Sequence, residues 1–337
     1  MRTRARNEPG HEGDLDRRAW MAGALAACLG APCLAQEPKE ADFDEGAEVR
    51  AVHAIAKKVG LRPFRTVQSG HFLCTGDAPD SFLSLTLRDC ESVAADYLDH
   101  YRAQGFDVAP PGRRLTVVAL ADDRSFAAYA ANKSFLMVPK RRDPAPSVHG
   151  YYSRETNRLV VFDHRSLGPQ LAARPGLTSL RALAHEATHQ LTFNTGLLSR
   201  RGDVPTAVVE GLAMYGEVRK SIGRTPPGQL NRMRVNDLAG MQSRKIPWVP
   251  VDRLLTDDRL LQQVGTHEGL LAYAEGWLLV DYLMKDGPRR LGFRAYLEAL
   301  LSRRDAVGRL DDARKHLGDL DRLNQELRRY SMRLLQS

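Results

Sequence analysis

The sequence predicts an α+β fold, in which an N-terminal β-α-β-α lobe and a hairpin pack on a mainly helical lobe carrying a His-Glu-x-x-His helix. Three observations predict it. Strand-like apolar runs alternate with helical periodicity up to about residue 132. Two short apolar arms then bracket a polar turn within residues 150–163, and most of the chain beyond residue 177 follows a 3.6-residue apolar period. With 337 residues, 43% of them hydrophobic, the chain is long enough for a substantial core, and it contains no internal repeat or long low-complexity tract.

Residues 1–35 read as an export signal: Asp16-Arg17-Arg18-Ala19-Trp20-Met21 precedes an uncharged stretch that runs through Ala35, with small residues near its end. The paired arginines fit a twin-arginine signal, and a generic secretory signal fits nearly as well. Cleavage is expected after Ala35, while Leu25-Ala26-Ala27-Cys28 offers a competing lipoprotein box that would acylate Cys28 and tether the chain to a membrane. The stretch is too short and too rich in Gly, Ala and Pro for a membrane span of about 20 residues, so no transmembrane span is expected in the mature chain. The expected location is therefore outside the cytoplasm, periplasmic or secreted.

The N-terminal α/β lobe is assigned to residues 36–147, opening with an acidic, Ala-rich lead over residues 36–50 and a helix near 52–58. Strands are expected at 66–74 and 115–121, and helices at 80–103 and 125–132. Residues 140–147, rich in Arg and Pro, form a loop that marks a boundary or the lip of a cleft. The second lobe, residues 148–337, begins with the hairpin at 150–163, either an ordinary cover for the core or an edge able to pair with extended substrate. Helices follow at 177–194, from Pro205 onward, at 251–261, at 269–284 and, in a charged amphipathic tail, at 312–335. Cys74 and Cys90 are the cysteines left after signal removal, and they are either bridged or two buried thiols.

The chemistry concentrates at His185-Glu186-Ala187-Thr188-His189, followed twenty-one residues later by Glu210. Residues four apart on a helix share a face, so both imidazoles can reach one cation at about 2.0–2.1 Å while Glu186 points beside them. Leu180, Leu183, Ala184, Ala187 and Leu191 give that helix its apolar stripe, and Asn194-Thr195-Gly196 stops it. Pro205 suits the first turn of the next helix, which places Glu210 in its second turn, where a helix-turn-helix can fold it back onto the histidines. Small Gly211 and Ala213 should let the two helices approach closely. Three protein ligands and an open fourth position describe a catalytic zinc, one per chain, whose water is acidified toward a pKa of about 7. Glu217, seven residues beyond Glu210 on the same face, either competes as a ligand or steadies a ligating imidazole. Asn194 and Asp203 are expected to cap helices.

His185-Glu186-Ala187-Thr188-His189-Gln190, with the later run Pro205 to Glu217 containing Glu210-Gly211-Leu212-Ala213-Met214-Tyr215, resembles the gluzincin branch of the zinc peptidases, the peptidase MA clan, and especially its exported bacterial members. The specific likeness is confined to these two helices and to Tyr273-Ala274-Glu275-Gly276-Trp277; elsewhere it is a match of element order. Relatives often carry Trp where this chain has Ala207, which removes a packing anchor and leaves the chemistry intact. The resemblance implies a zincin-like lobe with His185, His189 and Glu210 as ligands and Glu186 as general base. It also implies a hydrogen-bond donor for the oxyanion, with Tyr273 the first candidate and His267 the second.

The implied substrate is a peptide or protein. A zinc hydrolase of another amide or ester, or a binding protein that keeps the metal without turnover, stays open, although Glu186 is needed for proton transfer and not for holding metal. The chain lacks the Gly-x-Met-Glu-Asn segment of one aminopeptidase group, which favours an endopeptidase. The formal net charge is +8, and +7 for residues 36–337 once five Arg and four acidic groups of the first 35 residues are set aside. Those charges are dispersed, with no continuous basic stripe, so nucleic acid is not an expected partner.

Overall fold

A computed structural model of the chain describes residues 43–131, 150–168, 179–220, 223–263 and 266–336. The export segment with Cys28 and the loop at 140–147 lie outside the described residues. Helix α1 (Glu45–Lys58) starts well before the apolar periodicity at residue 52, because Asp44 caps it by accepting the Ala47 N–H at 3.0 Å and Glu45 and Glu48 face its positive end. The stretch expected as one strand over 66–74 instead folds back on itself as β1 (Arg65–Gln68) and β2 (Phe72–Gly76). Ser69 and Gly70 make the turn, which the Ser69 N–H closes on the Phe72 carbonyl at 2.9 Å. Then come α2 (Asp80–Ala103), β3 (Leu115–Leu120), α3 (Asp123–Ala131), and the hairpin of β4 (Gly150–Ser153) and β5 (Arg158–Phe162). Asn157 completes the hairpin turn at φ 56°, a left-handed conformation that Asn tolerates.

All the strands join one five-stranded sheet in the order β1-β2-β3-β5-β4, with parallel pairing between β2, β3 and β5 and antiparallel pairing at both margins. Strands β2, β3 and β5 are buried on both faces, as parallel strands between helical layers must be. Alternation divides them: Val118, Leu120, Val160 and Phe162 meet α1 and α3 through Val52, Phe126 and Tyr129, while Val117, Ala119, Leu159 and Val161 meet α2 and the metal-motif helix. Cys74 and Cys90 are free thiols buried on that second side, which settles their alternatives in favour of two thiols.

The remainder is helical: α4 (Ser179–Thr192), α5 (Thr206–Gly216), α6 (Arg232–Ser243), α7 (Val251–Thr256), α8 (Arg259–Gln262), α9 (His267–Met284), α10 (Gly287–Ser302), α11 (Arg309–Leu317) and α12 (Leu320–Gln336). The helix expected at 251–261 breaks in two at Asp257, and the tail breaks at Gly318, whose φ of 84° suits glycine. Helices α6 and α10 were not anticipated. α10 does carry a start signal, Asp286 as N-cap with Pro288 in the first turn. Among the described residues no helix is long and apolar enough to cross a membrane.

Candidate metal centre

Helix α4 lies on the α2 side of the sheet, with Leu183, Ala184, Ala187 and Leu191 of its predicted stripe buried in the core and Leu180, in its first turn, only half-buried. Gln190 fixes its height: its Nε2 donates to the Thr116 carbonyl at 3.1 Å and the Asn157 carbonyl at 2.9 Å, bridging β3 and the hairpin turn. Asn194 caps its end as expected, donating to the Gln190 carbonyl at 2.6 Å. With the core side occupied by Leu and Ala, His185, Glu186 and His189 project from the remaining arc and are all buried.

Helix α5 is buried along its whole length. The small residue that lets it close on α4 is Gly216, where a Cβ would stand 2.6 Å from Thr188 Oγ1. Gly211, expected in that role, instead faces α9, where a Cβ would lie 2.4 Å from the Gly276 carbonyl oxygen. Asp203 also departs from expectation, because Asp258 takes the cap: its Oδ1 accepts the Thr206 N–H at 2.8 Å, and Arg309 ties it to Asp203 through contacts of 3.0 and 2.6 Å. The start of the helix that presents Glu210 is thus clamped from two distant parts of the chain.

Together these helices gather His185, His189 and Glu210 into one buried cluster able to hold a metal ion. The two Nε2 atoms are 3.1 Å apart, and each lies 3.3 Å from an oxygen of Glu210. A tetrahedral cation with bonds of about 2.0–2.1 Å separates its ligand atoms by about 3.3–3.4 Å, and the two nitrogens and the Glu210 carboxylate, reached through Oε2 from His185 and Oε1 from His189, are gathered at about that spacing. Both Glu210 oxygens are buried, and their partners are the two imidazole nitrogens, groups that can exchange a proton for a metal ion.

The surrounding shell is organised around Glu217. Its Oε2 lies 2.8 Å from His185 Nδ1, which leaves Nε2 facing the cluster, and its Oε1 is held by Arg181 and by Asn231 Nδ2 at 2.7 Å. Of the two roles open to Glu217, the structure places it behind the imidazole and not among the ligand atoms. Burial would raise the Glu217 carboxyl, but Arg181 and His185 hold it well below the usual carboxylate range. Burial opposes charge on His185, yet Glu210 and Glu217 outweigh it and raise the imidazole to about 10 in the metal-free chain. Glu210 is pulled down to about 2 by the two histidines against its own desolvation.

Glu186 stands beside the cluster, its Oε2 accepting the Tyr152 N–H of edge strand β4 at 2.8 Å, and burial raises its pKa. Tyr273 is buried in α9, with the Arg234 guanidinium 5.6 Å from its ring centroid. His267 is the exposed first residue of the same helix, outside the metal cluster. Sequence reasoning missed Arg181, Asn231 and Arg234. Arg181 had a local signal, since it sits four residues before His185 on the same face of α4.

A family model described as a protein of unknown function (DUF1570) matches residues 179–305, from the first residue of α4 to just beyond α10. All three residues of the cluster fall within the match. Comparison with curated proteins finds no match, and comparison with solved structures finds none either.

Proposed function

We propose that the chain is an exported, zinc-dependent metallopeptidase of gluzincin type, hydrolysing peptide bonds with Glu186 as general base. The observation that carries the reading is the buried clustering of two imidazole nitrogens and a carboxylate, with a second carboxylate, Glu186, one residue from the first ligand and anchored to an edge strand. Two histidines and a glutamate that leave one position open are a donor set typical of catalytic zinc, and the Glu217 carboxylate behind the His185 imidazole is the support such a ligand usually has. When bound, zinc supplies a Lewis acid and a water acidified toward a pKa of about 7.

The chain's own residues account for the rest. Glu186, kept basic by burial and aimed by the Tyr152 N–H, takes the proton of the attacking water and hands it to the departing amine. Strand β4 is the edge beside Glu186, so an extended peptide entering there meets the general base first. Tyr273 is assigned as the donor to the developing oxyanion, in preference to the exposed His267. The test is Glu186→Gln on metal-loaded protein assayed against a peptide library. Hydrolysis should fall about 10²–10⁴-fold with metal content unchanged, and undiminished turnover would remove Glu186 from the mechanism.

A further inference from the structure

Three arginines are buried among the described residues: Arg158, Arg234 and Arg309. A guanidinium stays charged in any protein environment, and its side-on edge, Nε with Nη2, is shaped for the two oxygens of a carboxylate. Arg158 presents that edge to Glu48 at 2.6 and 2.8 Å, and Arg309 presents it to Asp203 at 2.6 and 2.6 Å. Arg234, the most deeply buried of the three at 0% exposure, donates Nη1 to Asp237 at 3.0 Å, while its Nε and Nη2 have no acceptor. Buried, unpaired donors on a charged group are rare, and they call for an explanation in terms of function.

Its place in the fold supplies one. Asn231, one turn earlier, accepts the Arg234 N–H at 3.4 Å and donates to Glu217, the carboxylate behind His185. On its other flank the guanidinium faces the ring of Tyr273. Arg234 is therefore bracketed by the metal shell and by the tyrosine assigned to the reacting carbonyl.

Building on the peptidase reading, we propose that the side-on edge of Arg234 receives a carboxylate of the substrate, so that the site selects peptides with a free C-terminal carboxylate or an Asp or Glu side chain close to the cleaved bond. The same edge in Arg158 and Arg309 shows which partner this chain pairs with it, and a desolvated guanidinium discriminates sharply between a carboxylate and its uncharged amide.

The test is calorimetric binding of three acetylated peptides to the metal-loaded protein: one ending in a free carboxylate, its C-terminal amide, and the amide carrying an internal Glu. Wild type should bind at least one carboxylate form about tenfold or more tightly than the plain amide, and the form preferred identifies the carboxylate's source. Arg234→Met should abolish the preference with metal content unchanged, and Arg234→Lys, which keeps the charge and loses the planar fork, should retain part of it. Equal binding of all three by wild type, or a preference that survives both substitutions, overturns the assignment. Failure of every peptide to bind while metal is retained overturns the peptidase reading along with it.

Discussion

Two carboxylates in this protein are equally hidden from water and are treated in opposite ways. Asp96, on α2, accepts Arg219 Nη2 at 2.8 Å, the Thr225 N–H at 2.9 Å and Arg224 Nε, and these partners hold its pKa down against its desolvation. Glu210, on α5, accepts no hydrogen bond and faces two imidazole nitrogens at 3.3 Å. The Asp96 knot satisfies itself and pins the chain after α5 to α2. A buried charge tied off by arginines and a backbone N–H marks architecture, whereas one faced only by imidazoles, which can give up a proton to a metal, marks a site able to take a ligand.

Asp96→Ala separates the two with the largest expected effect. It removes the carboxylate that Arg219, Arg224 and the Thr225 N–H share and should cost about 3–5 kcal/mol in denaturant unfolding, by the same amount with and without added zinc. Metal should act only on the other cluster. Free zinc at about 100 Kd should stabilise wild type and Asp96→Ala alike by about 2.7 kcal/mol and leave Glu210→Ala unmoved, and a response in Glu210→Ala would erase the contrast. Between these extremes lies Glu217→Ala, which keeps all three ligand atoms but frees His185 Nδ1. It should weaken zinc binding about 10–100-fold in a competition titration, and unaltered affinity would reduce Glu217 to a structural anion.

The smallest effect is a pH signature. His185 is raised from its ordinary 6.5 to about 10 in the metal-free chain, so its contribution to stability is complete below pH 6.5 and is lost as pH climbs toward 10. Zinc needs the neutral imidazole, so the metal-loaded protein should hold its stability over that window while the metal-free protein declines. Parallel pH curves for the two forms would contradict the assignment of His185.

The order of elements was largely legible in the sequence because local period and burial agree. Helix α2 occupies the residues expected of it, and β3 and the hairpin fall where their apolar arms predict. Breaks were harder to read. The turn at Ser69-Gly70, the interruption at Asp257 and the break at Gly318 are marked only by one or two turn-forming residues inside stretches read as single elements. The cluster of His185, His189 and Glu210 was legible because its spacing is dictated by the coordination geometry of one ion. Its supports were not, since Asn231, Arg234 and Asp258 reach the site or its helices from segments whose positions only tertiary packing determines. Gly211 shows the same limit: its small size was evident, but not that it serves the α5 contact with α9.

The most direct test of the central claim is the metal content of the purified chain, measured by elemental analysis on wild type and Glu210→Ala side by side after reconstitution with zinc. One zinc per chain in wild type and none in the variant is the predicted result. Zinc retained at full stoichiometry in Glu210→Ala, or none in wild type, would contradict it.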